Sequence, residues 1–243
     1  VQADLFTKAQ SLALTDDEEV AALVAQIKDA NAVIENEVVA TAPYALEGAR
    51  DFVRTGETNL GNLITAALLD ISGADVALTN GGGIRASIDE GEVTKGEVLT
   101  VLPYGNTVKV IEVTGAELIA AIENGIQSYP EASGGFPHIA GMTVEFDSSR
   151  EKGDRVVKLM VGNSEVDETK VYQLATNDFT AAGGDGYTMF TGKPAVAEFG
   201  SMDQVLIDYL NNVGFDASEV TNRIKDIATD DTAAIEWMLK TVA

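Results

Sequence analysis

The stretch Ala77-Leu78-Thr79-Asn80-Gly81-Gly82-Gly83-Ile84-Arg85 decides how the rest of this chain is interpreted. The apolar residues Val76 to Leu78 predict a buried strand that ends near Asn80. Three consecutive glycines let the backbone bring bare N–H groups close to a ligand, and such N–H groups form a concavity that suits anions. Arg85 adds a planar, permanent positive charge that matches phosphate or carboxylate. The stretch alone also fits a tight turn, and it lacks the Lys-Ser/Thr pair of a P-loop and the spacing of a dinucleotide fingerprint.

The composition indicates a folded protein with a strongly acidic surface. The 243 residues are 45% hydrophobic and 23% charged, which is typical of a globular chain with a sizeable core. The 39 acidic and 16 basic residues give a net charge of −23, which repels nucleic acids and anionic membranes. There is no cysteine, so disulfides and thiolate chemistry are excluded, and no apolar run approaches the roughly 20 residues of a membrane span.

The single histidine, His138, limits the catalytic mechanisms that this chain can support. A metal centre built on several imidazoles is excluded, and a Ser-His-Asp triad lacks the Gly-x-Ser-x-Gly elbow that often carries its serine. A loop or packing role is favoured for His138 over a role as ligand or acid. The chain opens at Val1 rather than Met, so we expect a processed or excised piece, and the missing signal peptide says little about localisation.

The first part of the chain predicts a helix that follows an irregular segment, residues 1–14. Thr15 and Glu18 have the spacing of a capping box, and apolar residues at helical spacing extend the helix over about 16–34. This helix either packs on the sheet or bridges to a domain outside the chain.

The following elements alternate between strands and helices. Strands are predicted at 38–41, 75–79 and 107–113, and helices at about 60–70, 95–102 and 115–127. We expect Asn59 to cap the first of these helices, and capping boxes at Thr94 and Thr114 to open the other two.

The second half predicts mainly antiparallel strands, at 142–146, 155–161 and 171–176, with a last strand at 223–227. Ser201 is expected to cap a helix that reaches about Asn212, and the tail from 229, which includes Trp237, is expected to form a loose helix. We find no internal repeat and no linker that divides the chain, and we predict an α+β fold with a mixed β-sheet and flanking helices.

Four loops carry a set of groups that would form a nucleotide site if the fold brings them together. The groups are Arg50 and Arg54, the stretch from Asn80 to Arg85, Tyr104-Gly105-Asn106, and the segment from Phe179 to Asp185. Arginines hold phosphate, a carboxylate accepts hydrogen bonds from both ribose hydroxyls, and aromatic rings stack on a base. Taken separately, the two arginines also fit surface salt bridges, and the tyrosine fits a half-buried turn aromatic.

The chain also resembles a known family through four motifs that occur in the family's order. These are Thr58-Asn59-Leu60-Gly61-Asn62-Leu63, Asn80-Gly81-Gly82-Gly83-Ile84-Arg85, Leu102-Pro103-Tyr104-Gly105-Asn106 and Gly183-Gly184-Asp185-Gly186-Tyr187. They resemble the C-terminal, substrate-binding domain of 5′-nucleotidases, UDP-sugar hydrolases and 2′,3′-cyclic-nucleotide phosphodiesterases, and the resemblance covers residues 40–227.

The resemblance implies a role for individual residues of this chain. Tyr104 and Phe179 resemble the pair of rings that enclose the base, although the first is often Phe in the family. Asn106 resembles a base-contacting amide, and Asp185 resembles the ribose-binding carboxylate. The resemblance implies a phosphate site formed by Arg50, Arg54 and Arg85. It also implies that Asn80, Gly82 and Gly83 shape the wall of this phosphate site. Arg50 is not present in all members, and the resemblance also suggests that His138 lines the base pocket from the side.

The resemblance further implies that hydrolysis takes place on an N-terminal metallophosphoesterase domain, which carries two divalent metal ions and is missing from this chain. We therefore expect no catalytic residue, no metal ligand and no cofactor here. The implied organisation is a linker and linking helix over 1–36, the substrate-binding domain over 37–228 and a tail over 229–243. The implied protein is a secreted, bacterial hydrolase located extracellularly, in the cell wall or in the periplasm, and it acts on nucleotides rather than nucleic-acid polymers.

Two other functions stay open at this point. The chain also fits the same domain of a 2′,3′-cyclic-nucleotide phosphodiesterase with 3′-nucleotidase activity. It fits equally a non-catalytic extracellular binding module that keeps this fold without a partner domain.

Overall fold

The computed structural model describes residues 7–8, 14–15, 17–219 and 222–228. The predicted tail helix with Trp237 and most of the segment 1–14 lie outside these residues. The helices are α1 (Glu18–Glu35), α2 (Arg50–Val53), α3 (Asn59–Ser72), α4 (Lys95–Val101), α5 (Gly115–Ile126), α6 (Asp178–Ala181), α7 (Met202–Asn212) and α8 (Asp216–Glu219). Short 3-10 helices occur at Gly81–Gly83, Gly184–Gly186 and Thr188–Phe190.

The strands form three sheets. They are β1 (Val38–Ala42), β2 (Val76–Asn80), β3 (Gly91–Thr94), β4 (Thr107–Thr114), β5 (Pro137–Ala140), β6 (Met142–Phe146), β7 (Val156–Val161), β8 (Ser164–Glu165), β9 (Val171–Asn177), β10 (Ala195–Ser201) and β11 (Ile224–Asp226). The central sheet has the order β10-β4-β9-β2-β5, the second sheet has the order β11-β6-β7-β8, and β1 pairs with β3. The central sheet is mixed, because β2 runs parallel to β9 while the other neighbours are antiparallel.

The central sheet is covered on both faces, which explains why every residue of β2 is buried. Successive side chains of a strand point to opposite faces, and Ala77 accordingly packs with α3 and α7 while Val76 and Leu78 pack with α5 and the second sheet. A strand buried on both sides is continuously apolar, as the sequence from Val76 predicts.

Gly141 transfers the chain from the central sheet to the second sheet. It is the single residue between β5 and β6, and its φ of +74° lies in the left-handed region. A Cβ at this position would lie 2.5 Å from the carbonyl oxygen of Asp75, so both the backbone angle and the space require glycine.

Two predicted helix starts are wrong, one by two residues and the other by one residue. The cap of α1 is Asp17 rather than Thr15, because its carboxylate accepts hydrogen bonds from the N–H groups of Glu19 at 3.0 Å and Val20 at 3.1 Å. The cap of α3 is Thr58 rather than Asn59. The capping boxes predicted at Thr94 and Thr114 are confirmed, with both reciprocal hydrogen bonds present.

Asn59 does not cap α3 through the N2 or N3 N–H groups because its side chain is used elsewhere. Its Oδ1 accepts from the N–H of Glu47 at 2.7 Å, and its Nδ2 donates to the carbonyl of Ala45 at 2.9 Å. The amide therefore ties the start of α3 to the loop that precedes α2. Ser201 is the N-cap of α7 as predicted, but its side chain makes no capping hydrogen bond.

Four strands were not predicted, among them the short β3 that pairs with β1. β5 has four residues and opens with Pro137, and a proline is tolerated there because β5 is at the edge of its sheet. The edge strand β10 and the two-residue β8 were also missed. β9 does not join β7, but lies between β4 and β2 in the central sheet, since β8 takes the edge of β7.

Helix α1 differs from the other long helices because none of its residues is buried. It exposes Val20, Leu23, Val24 and Ile27, which are 43–59% accessible. The prediction that this helix packs on the sheet is therefore wrong for the described residues. Within the same ranges, no helix combines the length and the apolar character needed to cross a membrane.

Candidate functional site

The sheet topology brings the four predicted loops to one edge. The parallel strands β2 and β9 end at Asn80 and Asn177, so their carboxyl ends lie side by side. The antiparallel neighbours β4 and β5 begin at the same edge, because Val108 pairs with Asn177 and Pro137 pairs with Asn80. Ligands bind preferentially outside the carboxyl ends of strands in sheets of this kind.

An open cavity of about 620 Å³ lies at this edge. It is lined by Arg54, Asn80, Gly82, Gly83, Arg85, Tyr104, Asn106, Gly134, Phe179 and Asp185. Nine of the ten predicted site residues therefore converge, and Arg50 does not line the cavity. Gly134 was not predicted.

Tyr104 and Phe179 are the aromatic groups of the cavity. Their exposures of 60% and 46% are high for rings of this size. Large apolar side chains cost free energy when they are left in water, so two exposed rings in one cavity indicate a surface for a ligand. The guanidinium carbon of Arg85 lies 5.9 Å from the centre of the Tyr104 ring, within the range of a cation–π contact.

The position of the Phe179 ring depends on Gly184. A Cβ built at Gly184 would lie 2.4 Å from Cζ of Phe179 and 2.5 Å from its Cε1. The ring thus lies directly against the bare backbone of the second glycine-rich loop. Glycine is needed at position 184 because the Phe179 ring lies so close to the backbone. The backbone angle does not require it, since the φ of Gly184 is not in the left-handed region.

Asp185 presents an exposed carboxylate to the cavity. Its backbone has a φ of +51°, a left-handed conformation that aspartate tolerates better than most residues. One carboxylate oxygen, Oδ2, accepts a hydrogen bond from Nδ2 of Asn80 at 2.7 Å. No hydrogen bond to the other oxygen, Oδ1, occurs among the described residues, which leaves it available to a ligand.

Buried contacts hold the neighbouring loop against Asp185. Tyr187 is fully buried, and its hydroxyl donates to the carbonyl of Gly135 at 2.7 Å. Burial raises the pKa of this hydroxyl, and the charge of Asp185 raises it further, so it stays a donor. A Cβ at Gly134 would lie 3.1 Å from Oδ2 of Asp185, so a bare glycine backbone forms the wall beside the carboxylate.

The arginines give the cavity a positive end in a strongly acidic protein. The pKa of Arg54 is lowered, first by partial burial and then by the nearby charges of Arg50 and Arg85, while Asp185 and Tyr104 oppose the shift. Within the described ranges, none of the three arginines forms an ion pair with a carboxylate. The salt-bridge alternative for Arg50 and Arg54 is therefore wrong there. Nε of Arg54 is buried without a hydrogen-bond partner.

Arg50 lies one helical turn before Arg54, at the start of α2. It is exposed and contributes charge to the arginine group without reaching the cavity wall. Its charge is one of the nearby charges that lower the pKa of Arg54.

His138 lies in β5, is 1% exposed and does not line the cavity. Its Nε2 lies 3.0 Å from the carbonyl oxygen of Val53, the residue before Arg54. Since a carbonyl only accepts, Nε2 carries the proton. The packing role predicted for this histidine is confirmed, and the suggestion that it lines the base pocket is wrong because its ring faces α3, where a Cβ at Gly61 would lie 1.9 Å from Nδ1.

Asn177 is the main residue of this region that the sequence analysis missed. It is 1% exposed at the end of β9, and it caps α6, the helix that carries Phe179. An asparagine between a strand and a helix is a typical N-cap, and this was the signal available in the sequence. Its contacts with the amide of Asn80 could not have been inferred from spacing.

Together these groups form a cavity with two aromatic rings, amide groups, a carboxylate and guanidinium groups. Within the described part of the chain, one carboxylate oxygen has no hydrogen bond and the guanidinium groups have no carboxylate partner. Such a set matches a flat ring, a hydroxyl donor pair and an anion in one ligand. Among the described residues, no group of three or more His, Asp or Glu side chains is placed to hold a metal ion.

Comparison with known proteins gives consistent matches. Residues 37–192 match the family model described as "5′-nucleotidase, C-terminal domain". The chain is 38% identical over 213 residues to the trifunctional nucleotide phosphoesterase protein YfkN of Bacillus subtilis, covering 83% of this chain and 15% of that protein. It is 40% identical over 166 residues to protein UshA of Escherichia coli, covering 68% of this chain and 29% of that protein. The chain thus spans less than a third of either relative.

The fold is also similar to solved structures. The crystal structure of a 5′-nucleotidase precursor from Thermus thermophilus matches with a TM-score of 0.78 and 34% identity, covering 89% of this chain and 44% of that chain. This agreement confirms the predicted α+β class with a mixed sheet and flanking helices.

Proposed function

Because this chain belongs to the family of 5′-nucleotidase C-terminal domains, we propose that it binds a nucleoside phosphate in the cavity at the edge of the central sheet. The base lies between the rings of Tyr104 and Phe179, and the ribose hydroxyls donate to Asp185. The phosphate lies towards the arginines. The names of the relatives, a nucleotide phosphoesterase and a 5′-nucleotidase precursor, support a ligand of this class.

The observation that carries this proposal is the pair of exposed rings in the same cavity as two arginines that form no ion pair with a described residue. A base stacked on aromatic rings gains on the order of 1–3 kcal/mol per contact, and stacking tolerates any base. Arg54 and Arg85 offer guanidinium N–H groups without a carboxylate partner among the described residues, and a phosphate would satisfy them.

The amides and glycines complete the proposed site. Asn106 lies beside Tyr104 and offers an amide to the polar edge of the base. Gly82 and Gly83 line the wall near Asn80, and a Cβ at either position would lie 3.3 Å from an atom of its amide. The bare backbone at this wall lets a phosphate approach closely.

We assign hydrolysis itself to a different domain of the full-length protein, where two divalent metal ions would supply the attacking oxygen nucleophile. In this proposal the described residues of the present chain bind and orient the nucleotide. The apolar surface of α1, which no described residue covers, supports a role as the linking helix between the two domains.

The proposal is tested by calorimetric titration of this chain with AMP and adenosine. We expect saturable binding that is weakened about tenfold by Phe179→Ala, through lost stacking, and weakened similarly by Asp185→Ala. Phe52→Ala is the matched control, because Phe52 is 58% exposed but lies outside the cavity lining. Unchanged affinity in both cavity variants, or metal-dependent release of phosphate from AMP by this chain alone, would contradict the proposal.

A second candidate is the same domain in an enzyme that also acts on 2′,3′-cyclic or 3′-nucleotides. The Bacillus subtilis relative is named a trifunctional nucleotide phosphoesterase, and this name supports the second candidate. Titration with 2′,3′-cyclic AMP, 3′-AMP and 5′-AMP distinguishes the candidates by which ester binds most tightly. A non-catalytic binding module would be supported by a full-length gene product without a metallophosphoesterase domain.

A further inference from the structure

Asn177 lies beneath the cavity, and its side chain connects several of the groups that line it. We propose that Asn177 is a positioning residue that orients the carboxylate of Asp185 towards the ribose, acting through the side-chain amide of Asn80. This inference rests on the proposed nucleotide site and adds to it a buried residue that does not line the cavity.

The orientation of the Asn177 amide is determined by a backbone donor. Its Oδ1 accepts a hydrogen bond from the N–H of Thr180 at 2.8 Å, and an N–H group can only donate. The oxygen must therefore face Thr180, and the Nδ2 group must face the opposite side. Nδ2 of Asn106 also lies 3.5 Å from this oxygen.

The Asn80 amide is then oriented by Asn177. Nδ2 of Asn177 donates to Oδ1 of Asn80 at 3.1 Å and to Oγ1 of Thr79 at 3.0 Å. The hydroxyl of Thr180 lies 3.4 Å from the same Asn80 oxygen. With its oxygen directed at these donors, Asn80 directs Nδ2 at Asp185, where it donates to Oδ2 at 2.7 Å.

These contacts form a hydrogen-bonded chain with one direction, from a backbone N–H through two amides to a carboxylate. Asn177 and Asn80 are 1% and 4% exposed, so water does not compete with the contacts between them. This series of hydrogen bonds engages Oδ2 of Asp185 and leaves Oδ1 for the ligand. A reversed Asn80 amide would place an oxygen against the carboxylate and repel it.

The Asp185 carboxylate depends on Asn80 for its orientation because its own loop provides no other donor among the described residues. The residue adopts a left-handed conformation within a glycine-rich loop, and its carbonyl accepts from Nδ2 of Asn124 at 3.1 Å. The exposed side chain has no other hydrogen-bond donor among the described residues than Asn80. The direction of the carboxylate therefore depends on the orientation of that amide.

Asn177→Asp separates positioning from helix capping. Aspartate keeps the oxygen that accepts from Thr180, so the cap of α6 remains, but it removes the donor to Asn80. Thr79→Val is the matched control, because it deletes the other acceptor of the same Nδ2 group and leaves the chain to Asp185 in place. Both positions are buried to the same degree, at 1% exposure.

The experiment is a titration of wild type and both variants with adenosine and with 2′,3′-dideoxyadenosine, which lacks the two ribose hydroxyls. We expect wild type and Thr79→Val to prefer adenosine by about tenfold, as for hydrogen bonds to a charged group. We expect Asn177→Asp to lose this preference while its affinity for dideoxyadenosine is unchanged. If Asn177→Asp keeps the preference, or weakens both ligands equally, the inference is wrong.

A second measurement distinguishes failure of this inference from failure of the proposed function. In ligand-free protein, we expect NMR to show slow hydrogen exchange at the side-chain amide of Asn80 in wild type and fast exchange in Asn177→Asp. Slow exchange at the Asn80 amide in both wild type and Asn177→Asp overturns the inference, regardless of which ligand the protein binds. A third outcome is that exchange at the Asn80 amide becomes fast in Asn177→Asp while wild type binds adenosine and dideoxyadenosine equally well. This outcome supports the series of hydrogen bonds and overturns the proposed contact between Asp185 and the ribose.

Discussion

At the scale of single residues, Gly184 determines where the Phe179 ring can lie. The ring covers the glycine so closely that a methyl group has no space, although the backbone of Gly184 would accept alanine. The loop is therefore a flat support for one of the two exposed rings. A binding surface made of exposed aromatic groups needs such support, because a freely rotating ring loses entropy on binding.

Gly184→Ala is expected to displace the Phe179 ring and weaken adenosine binding about tenfold, while the affinity for inorganic phosphate stays the same. Stacking is lost but the arginines are untouched. The measurement is a calorimetric titration with each ligand. Gly200→Ala serves as control, because a Cβ there meets no atom within 4 Å. Equal loss for both ligands would show that the substitution disturbs the loop as a whole.

At the scale of elements, β5 holds the end of α2 in place through His138. The neutral imidazole donates to the carbonyl of Val53, directly before Arg54, and the carbonyl of Arg54 accepts from the N–H of Ser133 at 3.0 Å. The Val53 carbonyl also lies against the bare backbone of Gly81, where a Cβ would be 1.9 Å away. A buried strand, a short helix and the glycine loop thus meet around one carbonyl group.

The free energy of unfolding should depend on pH through this histidine. Burial, as the largest cause, lowers the pKa of His138 to about 4 from an ordinary value of 6.5. Between these values the unfolded chain binds a proton that the folded chain does not, so stability is fully present above pH 6.5 and falls as the pH falls towards 4. The expected loss is about 3 kcal/mol over this window.

The measurement for His138 is urea unfolding at several pH values between 4 and 7.5, with His138→Gln as the comparison. Glutamine keeps a donor for the Val53 carbonyl but does not titrate in this range. We expect wild type to lose more stability on acidification than the variant, since the carboxylates titrate in both. Parallel pH profiles would mean that the pKa of His138 is the same in the folded and unfolded chains.

At the scale of the whole molecule, the net charge of −23 contrasts with the positive charge of the arginines that line the cavity. Charges of one sign on a compact surface repel one another and destabilise the folded state relative to the more extended unfolded chain. The three salt bridges of the described residues involve few of the acidic groups, so most of this repulsion is not compensated by pairing.

Added salt is therefore expected to stabilise the protein at pH 7. Ions at 0.15 M reduce the range of electrostatic repulsion to about 8 Å, against about 30 Å at 0.01 M. Thermal unfolding at these two concentrations should show a higher Tm in the more concentrated salt, with the same result for NaCl and KCl. A Tm that falls with salt would mean that attractive pairs outweigh the repulsion.

The sequence predicts much of the fold because many of its signals are local. The boxes at Thr94 and Thr114 place two helix starts correctly, since a cap involves only residues within one turn. The same rules fail at Thr15, because Asp17 caps the helix instead. They fail at Asn59 because distant backbone groups bind its side chain. β5 was missed because it is too short to show a pattern, and its burial depends on the partner strand β2.

For the candidate site, the sequence by itself determined which chemical groups are available: two aromatic rings, a carboxylate, amides, arginines and glycine-rich loops. It also determined the family, because four motifs in one order are a property of the chain alone. These features depend on residue identity and on short spacings.

Only the tertiary structure decided which of these groups meet and which hold the others in place. Asn80 and Asp185 are 105 positions apart in the chain, and they are joined because β2 and β9 are parallel neighbours that end at one edge. The same strand arrangement places Asn177, the last residue of β9, beneath the cavity, whereas Arg50 lies on α2 outside the cavity lining. Strand pairing depends on contacts between distant parts of the chain that bury both faces of the sheet. A local sequence pattern therefore cannot predict it.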